Sequence, residues 1–570
     1  MEAPSRFELE NEGFAGLCLT SWLWRPDTKY FNIYLPVLQG KNLPNFLILA
    51  NVRIVCRTVS HNKQKTGAVH MAKEKRPTLY FTADLAKNIQ LVQDYVGEYA
   101  DLVVRRIEVA GKLAAATICF DGMTDKDAVA EFIIKPLLQN REAFSLPPQR
   151  IAAEVLFVAD WAIADNVQAF MDRIFSGDCG VLFESSPCGI ISDLKGFERR
   201  GISEPQTEIV VRGSREGFIE NLKTNMSMLR RRIKTPDLCF ETLKLGTETN
   251  TNACLAYIRG LADPDVVAEA KRRLAGVEID SILESGYIEQ LIEDAPFSPF
   301  PTLANSEKPD KVTAKLLEGR VAVMVDGTPF VLTAPMLFVE SFQSAEDYYA
   351  RPFMASLVRF LRFLAFAFAI YGPALYIAVC SFHTELIPSN LMLNMWQAAG
   401  DTPLSAGWSV LFYSLVYEVV REAGIRLPRA VGAAISIVGG LVIGDMAVTA
   451  GLISAPVVII VAFTAIAMFV VDALTDAATV LRFIFIFLAW WLGFWGLMLG
   501  TVLLLLHLAS LSSFGVSYLA PFAPLLPYQL RDTVIRAPLW LQGRRPENLT
   551  AGGMWRQNPQ VPPAGGREEL

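Results

Sequence analysis

The chain has 570 residues, a net charge of −6 and a 52% share of hydrophobic residues, with a mean hydropathy of +0.32. That length accommodates roughly two to four domains, and the acidic balance excludes nucleic acid as a partner. The eight cysteines are scattered without a CxxC pair, and the four histidines stand apart without an HExxH, so no metal or cofactor site is expected.

Residues 1–70 mix Trp, Cys and mid-length apolar runs, and their first thirty positions hold Glu8, Glu10 and Glu12 instead of an apolar signal core. The soluble part is therefore expected to be cytoplasmic, with reduced thiols. Met71-Ala72-Lys73-Glu74-Lys75 looks like a natural start. Residues 1–70 are expected to be a mis-assigned extension, an expectation that peptides from this stretch in a mass spectrum of the native protein would refute.

Two stretches then repeat one plan. Asp101-Leu102-Val103-Val104 opens a hairpin that closes at Ile118-Cys119-Phe120-Asp121-Gly122, and Asp237-Leu238-Cys239-Phe240 opens one that closes at Tyr257-Ile258-Arg259-Gly260. Each runs into a helical pattern behind an Asp-rich turn, at an offset of roughly 138 residues. Asp125 and Asp263 are placed to cap those helices. A catalytic acid–base role is the other reading, and no nucleophile or base accompanies both copies.

Phe218, Leu222, Met226, Leu229 and Ile233 follow helical spacing, ending in Arg230, Arg231 and Arg232 where cations suit the helix dipole. The turn from Gly213 to Gly217 ahead of them is either an anion cradle lacking the full Walker spacing or a buried junction. Asp326-Gly327 between Val321–Val325 and Phe330–Leu332 signals a two-residue hairpin.

From Arg351 to Leu530 the chain holds seven Arg, no Lys and seven Asp or Glu. Phe363 to Phe382 is charge-free over twenty residues, about the thickness of a bilayer core. Thr402 to Tyr417 is apolar and leads to Glu418, Arg421 and Glu422; Ala430 to Val471 carries only Asp445 and fits two spans or a re-entrant hairpin. Phe483 to Leu530 has no charge, helical in character to about Ala509 and then Pro-rich and interfacial. Arg351, Arg359 and Arg362 before the first span, and Arg421, Arg426, Arg429, Arg531 and Arg536 later, place the soluble region inside.

The expected fold is thus an α+β soluble N-terminal region with duplicated α/β subdomains at 71–150 and 151–350, followed by an all-α polytopic membrane domain at 351–530. That domain is expected to hold about four to six spans. A cytoplasmic tail follows at 531–570, disordered from about 544.

Several of these stretches together resemble the A-subunit family of bacterial spore germinant receptors, the GerA family. The resemblance rests on Glu204-Pro205 through Arg232-Ile233, on Arg359-Phe360-Leu361-Arg362-Phe363 with Pro373-Ala374-Leu375-Tyr376, and on Phe382-His383 through Ile387-Pro388. It continues in Glu418 through Leu427-Pro428, Ser436-Ile437-Val438-Gly439 and His507-Leu508-Ala509-Ser510. Its most specific elements are Ser513 through Pro524 and Arg536-Ala537-Pro538-Leu539-Trp540. The acidic Val471-Asp472-Ala473-Leu474-Thr475-Asp476 departs from the family pattern, and residues 1–70 match nothing in it.

The resemblance implies a subunit of a nutrient-sensing complex in the spore inner membrane, multi-pass, with the soluble region on the core side. It implies a transporter-like B subunit and a lipoprotein C subunit as partners, with the ligand held mainly by B. It also implies a homo-oligomer, a pentamer, that conducts cations, and no enzyme activity. In a ring of subunits Glu418 and Glu422, one turn apart, would form acidic rings along a pore. The local alternative pairs Glu418 with Arg421 near the inner interface. Asp445 either lines water or marks a surface turn, and His383 with Glu385 either serves gating or makes an interfacial hydrogen bond. Ionisable groups inside a span cost about 2.5–3.5 kcal/mol on insertion scales, which makes them functional candidates. A stage V sporulation AF-type accessory channel shares the architecture. A secondary transporter lacks an inverted repeat here, and a membrane enzyme lacks a visible nucleophile–base set.

Overall fold

The computed structural model describes residues 78–556, apart from 98–99, 110–112, 141–145, 197–204, 206–207, 209, 401, 427–443 and 553–554. The expected extension at 1–70 lies outside the described residues.

Strands buried on both faces form the centre of the first sheet. Helix α1 (Leu85–Val96) starts on Asp84, whose carboxylate accepts the Lys87 N–H at 3.1 Å. Strands β1 (Leu102–Val109) and β2 (Leu113–Phe120) then pair antiparallel, Leu102 opposite Phe120. On β2, Ala116, Ile118 and Phe120 meet α1 and helix α2 (Val167–Ile174), whereas Ala115 and Cys119 meet the helical turns between 126 and 155 on the other face. Both faces are covered, so the strand reads as nearly continuous apolar sequence. Strands β3 (Trp161–Ala164), β4 (Cys179–Phe183) and β5 (Gly189–Ser192) complete the order β1-β2-β4-β5-β3.

The second sheet repeats that plan. Helix α3 (Leu222–Arg232) precedes β6 (Leu238–Leu245) and β7 (Thr251–Ile258), followed by helices α4 (Pro264–Ala275) and α5 (Ser285–Ile292). Strand β8 (Ala304–Ser306), helix α6 (Pro309–Leu316), and strands β9 (Val321–Val325) and β10 (Val331–Ala334) complete it. The order is β6-β7-β9-β10-β8, strand for strand that of the first sheet. Asp125 and Asp263 cap equivalent helices, each accepting a backbone N–H at 3.0 Å.

Three expectations change here. Every pairing is antiparallel, so the repeats are α+β layers, not α/β units. The first sheet takes strands as far as Ser192, so a boundary at 150 would cut through it; the short strands β3 to β5 carry too weak an alternation to be read from sequence. The loop after Asp326 is also longer than two residues, because Leu332 pairs with Val323.

The apolar block begins with α7 (Pro352–Phe382), whose 31 residues run unbroken through Pro373. At 1.5 Å per residue that is about 46 Å, well beyond the roughly 30 Å of a bilayer core, so its first turns stand outside. Helices α8 (Ala406–Arg426), α9 (Ala455–Phe469), α10 (Thr475–Leu492) and α11 (Phe494–Ser510) follow. Among the described residues, Pro352–Phe382 and Asp472–Leu492 are long and apolar enough to cross a membrane, while α9 and α11 are apolar and shorter. Small residues let α7 close on its neighbours: Ala374 and Ala378 sit in one core with Val457, Val461, Phe485 and Ala489.

The stretch from Phe483 to Ala509, helical as expected, divides between α10 and α11. Gly493 turns between them at φ +59°, and a Cβ on Gly496 would stand 2.1 Å from the Leu488 carbonyl oxygen. Only glycine permits that approach, and apolar periodicity is silent about it.

Candidate functional site

Three charges of the apolar block, Glu418, Arg421 and Arg482, meet in one place. Glu418 on α8 pairs with Arg421 one turn on at 2.8 Å, and with Arg482 of α10. Arg482 is 1% exposed and also reaches the Met468 sulfur of α9 at 3.1 Å. Arg421 donates to Thr479 of α10 at 3.4 Å. Two guanidiniums therefore flank one carboxylate, tying α8, α9 and α10 together. Arg482 escaped the sequence reading, although one Arg in an otherwise apolar helix is itself a signal that a partner must exist.

Glu422 does not join this cluster. It lies exposed and pairs with Arg426 at 2.6 Å. Asp445 is exposed in the first turn of a short helix, Gly444–Thr449. The Gly-rich stretch just before it, 427–443, lies outside the described residues. The His383 ring packs edge-on against Phe494 at 4.8 Å, with no hydrogen-bond partner on Nδ1 among the described residues, and Glu385 is exposed beyond it.

A second cluster locks the entrance of α7. Arg359 is fully buried and bonds Asp347 and Asp532 at 2.8 Å each, with further bonds to the Asp532 and Thr533 carbonyls at 3.1 Å. Arg362 bonds the same Asp347 at 2.8 Å, and the Tyr348 hydroxyl donates to Asp532 at 2.8 Å. Arg359 and Arg362 thus form a structural latch. They join the end of the soluble region, the first long helix and the tail.

The third contact comes after α11. Ser512-Ser513 and Val516-Ser517 form a tight hairpin across Phe514 and Gly515, both at positive φ. Phe514 inserts into the second sheet's core, its N–H donating to Asp294 at 2.8 Å and its ring lying 4.3 Å from the Arg273 guanidinium carbon. Ser513 accepts from the Met336 N–H and donates to the Thr302 carbonyl. Nearby, His507 at the end of α11 bonds Ser298 at 2.9 Å. The segment expected at the membrane interface is docked on protein, because these polar groups find partners there.

The described part of the tail past 544, as far as Arg556, is held by contacts with the soluble region. Thr550 pairs with Ala262 and Leu549 is buried, while Arg545 donates to the Leu317 carbonyl at 2.8 Å. Its polar composition hid these partners.

The two sheets are joined by one buried ion pair. Arg230 bonds Asp101 through Nε at 3.1 Å and Nη2 at 2.9 Å, sandwiched between the Phe120 and Phe240 rings, each 4.7 Å from its guanidinium carbon. Beside it, edge strands β1 and β6 flank a polar cleft of about 1280 Å³ lined by Asp94, Glu241, Tyr257, Arg259 and Lys271. The expected helix face of Phe218, Leu222, Met226, Leu229 and Ile233 is buried throughout. The Gly213–Gly217 turn is tied back to that helix, Ser214 and Glu216 holding Arg232.

Comparison with known proteins places this architecture. The family described as Bacillus/Clostridium GerA spore germination protein matches residues 90–548. Spore germination protein KA of Bacillus subtilis (strain 168) is 42% identical over 490 residues, covering 85% of this chain and 90% of that protein. Uncharacterized membrane protein YfkQ of the same organism is 39% identical over 84% of this chain and 94% of its own length. Spore germination protein GerLA of Bacillus cereus is 36% identical over 83% and 96%. A crystal structure of the N-terminal domain of the A subunit of the Bacillus megaterium spore germinant receptor GerK3 is 36% identical, covers 46% of this chain and 99% of that one, and superposes with a TM-score of 0.37. The extent of the sequence matches decides the family: the chain belongs to the GerA family of spore germination proteins.

Proposed function

We propose that this chain is the A subunit of a spore germinant receptor, and that copies of it assemble into a nutrient-gated cation channel in the spore inner membrane. It works there with a transporter-like B subunit and a lipoprotein C subunit, as a homo-oligomeric ring of five, with its soluble region on the core side. Relatives named as spore germination proteins support the biological setting, and two membrane-length helices support the location. No chemical step is assigned to it.

The observation that carries the channel reading is the contact between Glu418 and Arg482 inside the apolar helices. A buried ion pair is weak support for stability, since hydrophobic replacements often serve as well. Ionisable groups placed between apolar helices are functional candidates by default, and here the pair is read as a two-state contact. In the arrangement seen here Glu418 has its charge balanced by Arg421 and Arg482. Conduction past this level requires α8 and α10 to part there, freeing the carboxylate toward the ion path. Glu422 and Asp445, both exposed, are the further carboxylates of that path.

The test measures K⁺ release after germinant addition in spores carrying E418Q, E422Q and D445N together, with subunit abundance checked by immunoblot. Release slowed tenfold or more at normal abundance is expected. Unchanged release would remove these residues from the ion path.

A further inference from the structure

The first sheet contains a thiol pair that the proposed channel does not use. Ile118 of β2 stands opposite Gly180 of β4 in antiparallel register, so the adjoining positions, Cys119 and Cys179, face one another. Both are free thiols, and both project into the same layer with Val129, Ile133 and Ile151. Residues directly opposed on antiparallel strands have Cα atoms about 4.5–5.5 Å apart, within the roughly 4.4–6.8 Å that a disulfide bridges.

The two thiols also differ in kind. Cys179 is fully buried, whereas Cys119 keeps 6% of its surface open. A hydrogen bond from Cys179, aided by the charge of Lys126, holds the Cys119 thiol below its usual range, and the same bond with burial pushes Cys179 up. A lowered thiol at the slightly open member, facing a fully buried partner across the strands, is the arrangement of an attacking and a resolving cysteine.

We propose that Cys119 and Cys179 form a peroxide-sensitive dithiol, a reversible modification site within the first sheet. The Cys119 thiolate attacks one oxygen of hydrogen peroxide, breaking the O–O bond to give a sulfenic acid and hydroxide, which takes up a proton to leave as water. The Cys179 sulfur then displaces the sulfenic oxygen as a second water. In sum, two thiols and one peroxide give one disulfide and two waters, with sulfur oxidised and peroxide reduced. The new bond ties the first hairpin covalently to β4, and thiol–disulfide exchange with a small dithiol reverses it.

The test uses membranes holding the full-length chain with C188S, because Cys188 shares a tryptic peptide with Cys179. After peroxide treatment, free thiols are alkylated under denaturing conditions and the protein is digested without reduction. The expected product is Leu113–Lys126 linked to Ile174–Lys195, lighter than the two thiol peptides together by two hydrogens and lost on dithiothreitol treatment. In the further variant C119S the link disappears and Cys179 is alkylated. The proposal is overturned if both cysteines are recovered alkylated after peroxide, if Cys119 is recovered as a sulfinate or sulfonate with Cys179 alkylated, or if either links to another cysteine.

Discussion

Arg359 and Asp532 are 173 positions apart in the chain, yet their side chains meet at 2.8 Å in the interior. Asp347 holds the other side of the same guanidinium, and the Asp532 and Thr533 carbonyls complete its shell. This contact fastens the tail to the root of the first long helix, so whatever moves one moves the other.

Removing one member of that latch should cost about 3–5 kcal/mol, because it strands a buried charge. Arg359→Ala is therefore expected to lower the thermal unfolding midpoint of the detergent-solubilised chain markedly. Arg359→Lys should recover little, since an ammonium cannot reproduce the fork that serves two carboxylates and two carbonyls. Full recovery by lysine would show that charge alone matters at this position.

The Glu418–Arg482 contact makes a different prediction. Arg482→Met alone removes one of two cations beside Glu418, and Glu418→Gln alone leaves buried Arg482 without its carboxylate. The double variant leaves Arg421 without its carboxylate, as E418Q does, but no longer strands the more deeply buried Arg482, and should be more stable than E418Q by about 1–3 kcal/mol. Additive losses in a double-mutant cycle would mean that the two groups do not interact.

Gly496 sits where α11 crosses the Leu488 carbonyl, and a Cβ there would overlap it. Gly496→Val should push the hairpin apart, costing at least 1–3 kcal/mol and lowering the amount of chain recovered from membranes. Gly543, with open space around its Cβ position, is the matched control: G543A should accumulate normally.

Glu289 on α5 gives a pH signature. Burial first, and then the charges of Glu293 and Glu284, push its carboxyl up to about 7 from an ordinary 4.5. The folded state therefore holds this proton between those values while the unfolded chain has released it. The contribution to stability is present in full below about pH 4.5 and is lost as the pH rises through 7. Thermal midpoints should fall across that window, and Glu289→Gln should flatten the fall. Parallel profiles for the two proteins would sink this assignment.

Much of this organisation is written locally. The repeated strand–turn–strand plan at 102–120 and 238–258 declared two hairpins, and Asp125 and Asp263 declared the helices that follow, because turns and N-capping depend on residues a few positions apart. The charge-poor block from 351 onward announced itself by composition, and Glu418 drew notice as an ionisable group in apolar surroundings.

What the sequence could not decide was which distant groups satisfy one another. Arg482 for Glu418, Asp532 for Arg359, Asp101 for Arg230 and Asp294 for the Phe514 N–H are all choices among many chemically equal partners. Nothing local distinguishes them; only the packed chain brings one candidate within hydrogen-bond reach and shuts out water from the rest. The glycine at 496 follows the same logic, since its necessity arises from the Leu488 carbonyl of the neighbouring helix and not from the residues beside it. Local order was legible because short-range sterics and burial periodicity fix it, whereas the latches between layers were decided by the tertiary structure, where desolvation makes each buried charge require one specific partner.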